Sequence, residues 1–192
     1  MLDTLRRTIQ EVNRAPDLPR ALSIIVTRVK QAMAVDVCSA YLVDVDRQQY
    51  VLMATDGYNV KAIGAVRLDF GQGLVGEVAR REEPLNLENA ADHPAYVFSH
   101  TTGEEPYHGV LGVPIIQHRQ VLGVLVVRHR EHRRFAEQEV TFLFTLAAQL
   151  AGAISHAGAS GEMNRLLQEA GQSGFALKAR FGTLGAAVGR EL

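Results

Sequence analysis

Between Glu88 and His108 the chain gathers Asp92, His93, Tyr96, Thr101, Thr102, Glu104, Glu105, Tyr107 and His108, a high density of hydrogen-bonding and ionisable side chains. They form no set of nucleophile, base and orienting carboxylate, so the chemistry they offer is recognition. Such a segment can close over a small polar ligand held on a sheet. Its length supports that reading, because long loops inside compact domains are usually functional. A solvated surface loop is the alternative that the residues themselves leave open.

Other constellations carry less. Gly71-x-Gly73-x-x-Gly76 fits the dinucleotide fingerprint in letters, between a short predicted strand and a helix. A nucleotide site of that kind needs a parallel sheet, whereas hairpins flank this motif on both sides. The glycines are therefore read as a tight turn and a close helix-sheet approach. His93, His100 and His108 share the long loop, and His118, His129 and His132 cluster near the later hairpin, without the spacing or thiolates of a zinc site. They are read as solvated loop histidines, and no metal is expected. Cys38 has Val37 and Ser39 beside it and no adjacent base, which describes a buried inert thiol. Ser155-His156-Ala157 lies where a helix gives way to a linker, with no glycine-rich loop to cradle phosphate.

The elements that must position these groups are legible from periodicity. Leu2, Leu5, Ile9 and Val12 recur at helical spacing, and after Pro16 a second helix aligns Leu18, Leu22, Ile25, Val26, Val29 and Met33, with Asp17 as N-cap. From Val37 the period falls to two, giving strands over 37–43 and 50–55. Residues 65–68 predict a short strand, 74–81 a short helix and 84–87 an extended piece. Gly109 to Val127 holds two apolar, β-branched runs around Gln117–Gln120, a hairpin of two buried strands. A closing helix from Glu137 to His156 aligns Leu143, Leu146, Leu150 and Ile154. The order α-α-β-β-β-α-β-loop-β-β-α predicts an α+β fold, with a mainly antiparallel central sheet flanked by helices. Ala157–Gly161 reads as a small-residue linker, so a domain at 1–157 and a linker or tail at 158–192 are expected, with the chain a fragment of something longer.

Composition narrows the function classes. Twenty Lys and Arg against 21 Asp and Glu leave a net charge of −1, and there is no Trp. That offers neither a basic field for phosphodiester backbones nor a stacking platform, so nucleic acid is not an expected partner. A single cysteine excludes an internal disulfide and fits a reducing compartment. The N-terminus has neither a signal peptide's apolar stretch nor the length of a membrane span, and a soluble cytoplasmic protein is expected.

In order, Gly71-x-Gly73-Leu74-x-Gly76-x-Val78, Glu83-Pro84-Leu85-Asn86-Leu87, Leu111-Gly112-Val113-Pro114-Ile115, Leu122 to Val127 and Phe135-x-x-x-Glu139 resemble a GAF domain. More narrowly, 1–12, Asp36 to Leu42, Leu52 to Thr55 and Thr102 to Ile116 are similar to the N-terminal GAF domain of the nitrogen-regulatory enzyme I family of the phosphotransferase system. The resemblance covers about residues 1–157. It implies a regulatory, ligand-sensing module with no catalytic residue and no cofactor of its own, preceding a phosphotransferase that uses phosphoenolpyruvate and Mg2+, phosphorylates itself on histidine and passes the phosphate to a small phosphocarrier protein. It also implies nitrogen sensing, with glutamine as ligand. For such a zwitterion, Glu104 and Glu105 would face the ammonium, and Tyr107, His108, Arg67 and Arg128 would serve the carboxylate. A cyclic-nucleotide GAF domain and a ligand-free dimerisation module are the alternatives. The apolar seams of the first and last helices predict a homodimer through these terminal helices.

Overall fold

The computed structural model describes residues 2–97 and 107–172. Its order is α1 (Leu2–Asn13), α2 (Leu18–Met33), β1 (Val37–Asp44), β2 (Gln49–Asp56), β3 (Arg67–Asp69), α3 (Gly73–Arg81), β4 (Leu85–Leu87), β5 (Gly109–Gln117), β6 (Gln120–His129) and α4 (Glu137–Ala159). Helical conformation resumes over residues 162–172. The strands form one sheet in the order β3-β2-β1-β6-β5-β4, every pair antiparallel. The fold is α+β, as the element order predicts. The helix-start chemistry also holds: the Asp17 carboxylate accepts from the Arg20 N–H at 2.9 Å, capping α2.

Alternation along the strands sends side chains to two separate cores. On the first face Cys38, Ala40, Leu42, Leu111, Val113, Ile115, Leu125 and Val127 meet α2 and α4. On the second, Val37, Tyr41, Leu52, Val110, Val124 and Val126 meet α3 through Leu74, Val75 and Val78. Cys38 is fully buried in the first core, where desolvation pushes its thiol well above the ordinary range and Asp56 adds to the shift. The inert-thiol expectation fits that environment.

Three expectations change. Leu143, Leu146 and Leu150 are fully buried and Ile154 nearly so, all within this chain's own core. The last helix thus spends its apolar seam on the sheet, and the pattern showed an apolar face without showing what covers it. The small residues at 157–161 are not a linker: α4 runs to Ala159, so His156 sits on its exposed face. After a turn, residues 162–172 fold back and bury Met163 and Leu167 against the first core. The packed unit therefore passes residue 157 and continues to residue 172. Helix α4 is long and apolar enough to cross a bilayer by length and composition, but its apolar face is the centre of this core.

The β5-β6 hairpin closes through His118 and Arg119, both at positive φ (49° and 63°). That is the left-handed pair a type I′ turn needs to match strand twist, here built without Asn or Gly. Replacing His118-Arg119 by Asn-Gly is expected to stabilise the domain by about 1 kcal/mol, read as a higher urea midpoint at unchanged slope. A lower midpoint would show that the two side chains hold the turn by contacts of their own.

Candidate functional site

Arg128 is the second-to-last residue of β6, and its parity along that strand aims it at the second face. Its cross-strand neighbours are Val37 on β1 and Val110 on β5, both buried in that core. Register alone therefore carries a guanidinium to the rim of an apolar surface. Around it stand four phenols, Tyr41, Tyr58, Tyr96 and Tyr107, which are four of the five tyrosines in the chain. Each arrives from a different place: β1, the turn after β2, and the two ends of the 88–108 segment. Tyr58 and Tyr107 meet edge to face, with ring centroids 5.9 Å apart at 68°.

The electrostatics are unusual for an arginine. Desolvation works against its charge, and the attraction of the four nearby phenols in their ionised form more than offsets this, holding its pKa above the ordinary value. Tyr41 is buried, and desolvation followed by Tyr58 raises its phenol well above the usual range, while Arg128 opposes the shift. The Tyr41 phenol therefore stays protonated at neutral pH. Among the described residues no carboxylate pairs with the Arg128 guanidinium and no hydrogen bond of that group is formed. A partly buried cation beside four phenols, above an apolar floor and with no carboxylate partner among the described residues, has the chemistry to accept an anion.

The other expected site residues divide. Tyr107 belongs to the ring around Arg128. His108 lies beside it, with Nδ1 3.1 Å from the Asn89 amide oxygen and its ring stacked on His132 at 4.1 Å. Arg67 is elsewhere: its guanidinium lies 3.1 Å from the buried Asp44 carboxylate and donates to the Leu167 carbonyl at 3.4 Å. Asp44 and Val37 end β1 at opposite sides, roughly 20 Å apart at about 3.3 Å per residue. Arg67 is thus committed to an internal ion pair, far from Arg128. Glu104 and Glu105, with Thr101, Thr102 and His100, lie outside the described residues.

Two of the histidines, both partly exposed, also hold backbone. His93 Nδ1 accepts from the Ala95 N–H at 3.2 Å, and His129 Nδ1 accepts from the Glu131 N–H at 3.1 Å. Their ring nitrogens thus add a local structural role to the solvated reading. Among the described residues no three His, Cys, Asp or Glu side chains gather as a metal site would require. The glycine run is a turn: Gly71 has φ +80°, and a Cβ on Gly76 would lie 2.5 Å from the Gly71 carbonyl carbon, so the helix start packs directly on the loop.

The motif residues that closed the sequence pattern also have a structural role. Glu139 accepts from the Ala136 N–H at 2.9 Å and pairs with Arg133, which reaches the Met33 carbonyl at 3.3 Å. Asn86 holds the Phe135 backbone at both ends, donating to its carbonyl at 2.8 Å and accepting from its N–H at 3.1 Å. Phe135-x-x-x-Glu139 thus clasps the start of α4 to β4 and α2.

The family model for the GAF domain matches residues 17–154. The GAF domain of a phosphoenolpyruvate-protein phosphotransferase (ptsP) from Coxiella burnetii has a TM-score of 0.81 at 49% identity, covering 84% of this chain and 96% of that one. The corresponding Acinetobacter domain has a TM-score of 0.78 at 49% identity, covering 82% and 94%. A relative from Escherichia coli (strain K12), described as a phosphoenolpyruvate-dependent phosphotransferase system protein, is 47% identical over 155 residues. Those residues are 81% of this chain and 21% of that protein, so the chain spans about a fifth of this relative's length. With its fold, its motif clasp and a family match across most of its described residues, this chain belongs to the GAF domain family.

Proposed function

We propose that this domain is the regulatory sensor of a phosphoenolpyruvate-protein phosphotransferase, binding a small carboxylate-bearing effector at Arg128 and controlling histidine phosphorylation in response to nitrogen status. The observation that carries the reading is the Arg128 guanidinium, partly buried among four phenols and without an anion among the described residues. Its similarity to phosphotransferase GAF domains supports the parent enzyme. Glutamine is the first candidate ligand, its carboxylate on Arg128 and the Tyr107 side, and Glu104 and Glu105 its proposed ammonium partners. Phosphotransfer to a carrier protein would belong to the enzyme portion, in the cytoplasm, and this chain alone should turn over no phosphoenolpyruvate.

The test is calorimetric titration of the chain with glutamine, 2-oxoglutarate and cyclic nucleotides. Because the chain has no Trp and four of its five tyrosines ring Arg128, intrinsic tyrosine fluorescence reports on the same site. Saturable binding of glutamine with a fluorescence change supports the reading. No binding of any amino acid at millimolar concentration removes it, and tight cyclic-nucleotide binding would replace it.

Dimerisation is the second part of the proposal. Leu2 and Phe144 are exposed at 79% and 42%, and Leu5, Ile9 and Val140 are only partly covered, leaving an apolar strip across α1 and α4. A second copy fits this strip through α1, with Leu143 to Ile154 no longer part of the seam. Light scattering at micromolar concentration is expected to give a dimer mass, and Leu5→Glu to shift it to monomer. A monomeric wild type, or a Leu5→Glu chain that stays dimeric, contradicts this interface.

A further inference from the structure

Residues 57–66 join the Arg128 site to the helical stretch 162–172, and they do so as one stiff piece. At the start, Gly57 has φ +117° and sits so close to the sheet that a Cβ there would lie 2.3 Å from the Asp36 carbonyl oxygen and 2.9 Å from the Val37 Cα. Val37 is the residue paired across from Arg128. Tyr58 follows, one of the four phenols of the site, packed on Tyr107. Short-range backbone bonds then stiffen the segment: Ala62 N–H to Asn59 at 2.9 Å, Ile63 to Val60 at 3.1 Å, and Ala65 and Val66 both to Ala62 at 3.1 and 2.9 Å. Ala62 and Val66 are buried in the second core. At the far end Gly64 turns at φ +74° and faces Ala170, with space so tight that a Cβ would come within 2.8 Å of the Ala170 Cβ. The next residue after the segment is Arg67, which donates to the Leu167 carbonyl.

The helical stretch is itself held at two places outside its apolar face. Glu162 accepts from the Leu18 N–H at 3.3 Å, and Leu167 accepts from Arg67. The 57–66 segment runs from the end of β2 to the start of β3, with Tyr58 on the second face and Gly64 against a helix packed on the first.

We propose that residues 57–66 act as a lever that couples the state of the Arg128 site to the docking of residues 162–172. The inference rests on the reading of that site as a binding site. A ligand on Arg128 has to displace or brace the Tyr58 ring. The segment is pinned at Gly57 and bonded to β2 by the Gly64 N–H to the Leu52 carbonyl at 2.8 Å and the Leu52 N–H to the Val66 carbonyl at 3.0 Å, so a shift at Tyr58 reaches Gly64 together with that strand, at a contact with Ala170 that has no clearance to absorb it. The helix then gains or loses its contact through Ala170 and the Arg67 bond together, a two-position device whose output is the mobility of the helix.

Hydrogen-deuterium exchange on the full chain tests this without needing the ligand. Tyr58→Ala, which lets the lever sink toward the sheet and withdraws Gly64 from Ala170, is expected to speed amide exchange in residues 162–172 at least threefold. Helix α2 serves as the reference for global stability. Glu83→Ala, an exposed substitution outside both the site and the segment, should leave 162–172 unchanged relative to α2. Tyr58→Leu keeps the apolar volume and covers the case in which the alanine variant folds poorly. If both Tyr58 variants change exchange in 57–66 and leave 162–172 at the wild-type rate, the lever is overturned. A glutamine arm separates the two ideas. Glutamine binding that leaves 162–172 unaltered counts against the lever alone, whereas coupling seen in the variants with no glutamine bound counts against the ligand assignment alone.

Discussion

Replacing Arg128 by methionine is expected to cost glutamine binding about 100-fold while leaving the fold at least as stable as the wild type. The binding loss follows from a guanidinium fork donating two charge-assisted bonds of about 1.5 kcal/mol each, where every 1.4 kcal/mol is tenfold in affinity. The stability term has the opposite sign because the cation is desolvated at the rim of an apolar core with no anion among the described residues, and methionine fills similar volume without that cost. Arg128→Lys retains charge without the planar fork and should lose about tenfold. Calorimetry reads the affinity and a thermal scan the stability. A methionine variant that binds normally, or one that unfolds several degrees earlier, would make Arg128 a structural residue.

The second large effect is at the other end of β1. Asp44 is buried at 4% exposure between Arg47 and Arg67, each 3.1 Å from the same carboxylate oxygen. Asp44→Ala strands the Arg67 guanidinium, which is only 17% exposed. It also removes the partner that aims Arg67 at the Leu167 carbonyl. Breaking a buried pair from one side costs about 3 to 5 kcal/mol, and the more exposed Arg47 and the remaining access to water bring the expectation to about 2 to 3 kcal/mol. In a domain of this size that is a fall in melting temperature of roughly 5 to 10 °C. The double variant Asp44→Ala, Arg67→Met should regain part of the loss, since no charge is then stranded. A single variant within about 1 °C of wild type would show the pair to be ornamental.

The sequence made the scaffold legible because its signals are local. Period two at Val37–Val43 and the two apolar runs around His118-Arg119 predict strands that the structure extends by a residue or so. The Asp17 cap and the apolar stripe of α2 predict a helix beginning at Leu18. The site was half legible. Arg128, Tyr107 and Tyr96 were visible as polar groups near strand ends or within the long segment. Tyr41 and Tyr58 were not, because what brings them to Arg128 is register between strands distant in sequence and a turn pinned at Gly57. Parity along β1 is the signal that could have found Tyr41, since it shares a face with Val37. Arg67 misled for the same reason in reverse: a strand-end arginine is equally able to serve a ligand or a neighbouring carboxylate, and only the packing of Asp44 decides. Composition at Ala157–Gly161 misled because alanine favours helix as readily as it furnishes a spacer.

The two cores on opposite faces of one sheet have a consequence for how such a domain diverges. The first face holds α2, α4 and the long aliphatic side chains that secure folding, and the second carries the tyrosines, the short helix α3 and the Arg128 rim. On the proposed reading of the Arg128 site, substitutions on the second face can trade one effector chemistry for another while the helical layer keeps the chain above its folding threshold. Selection can therefore act on what is recognised almost independently of what makes the protein fold, and the sheet itself is the partition between the two.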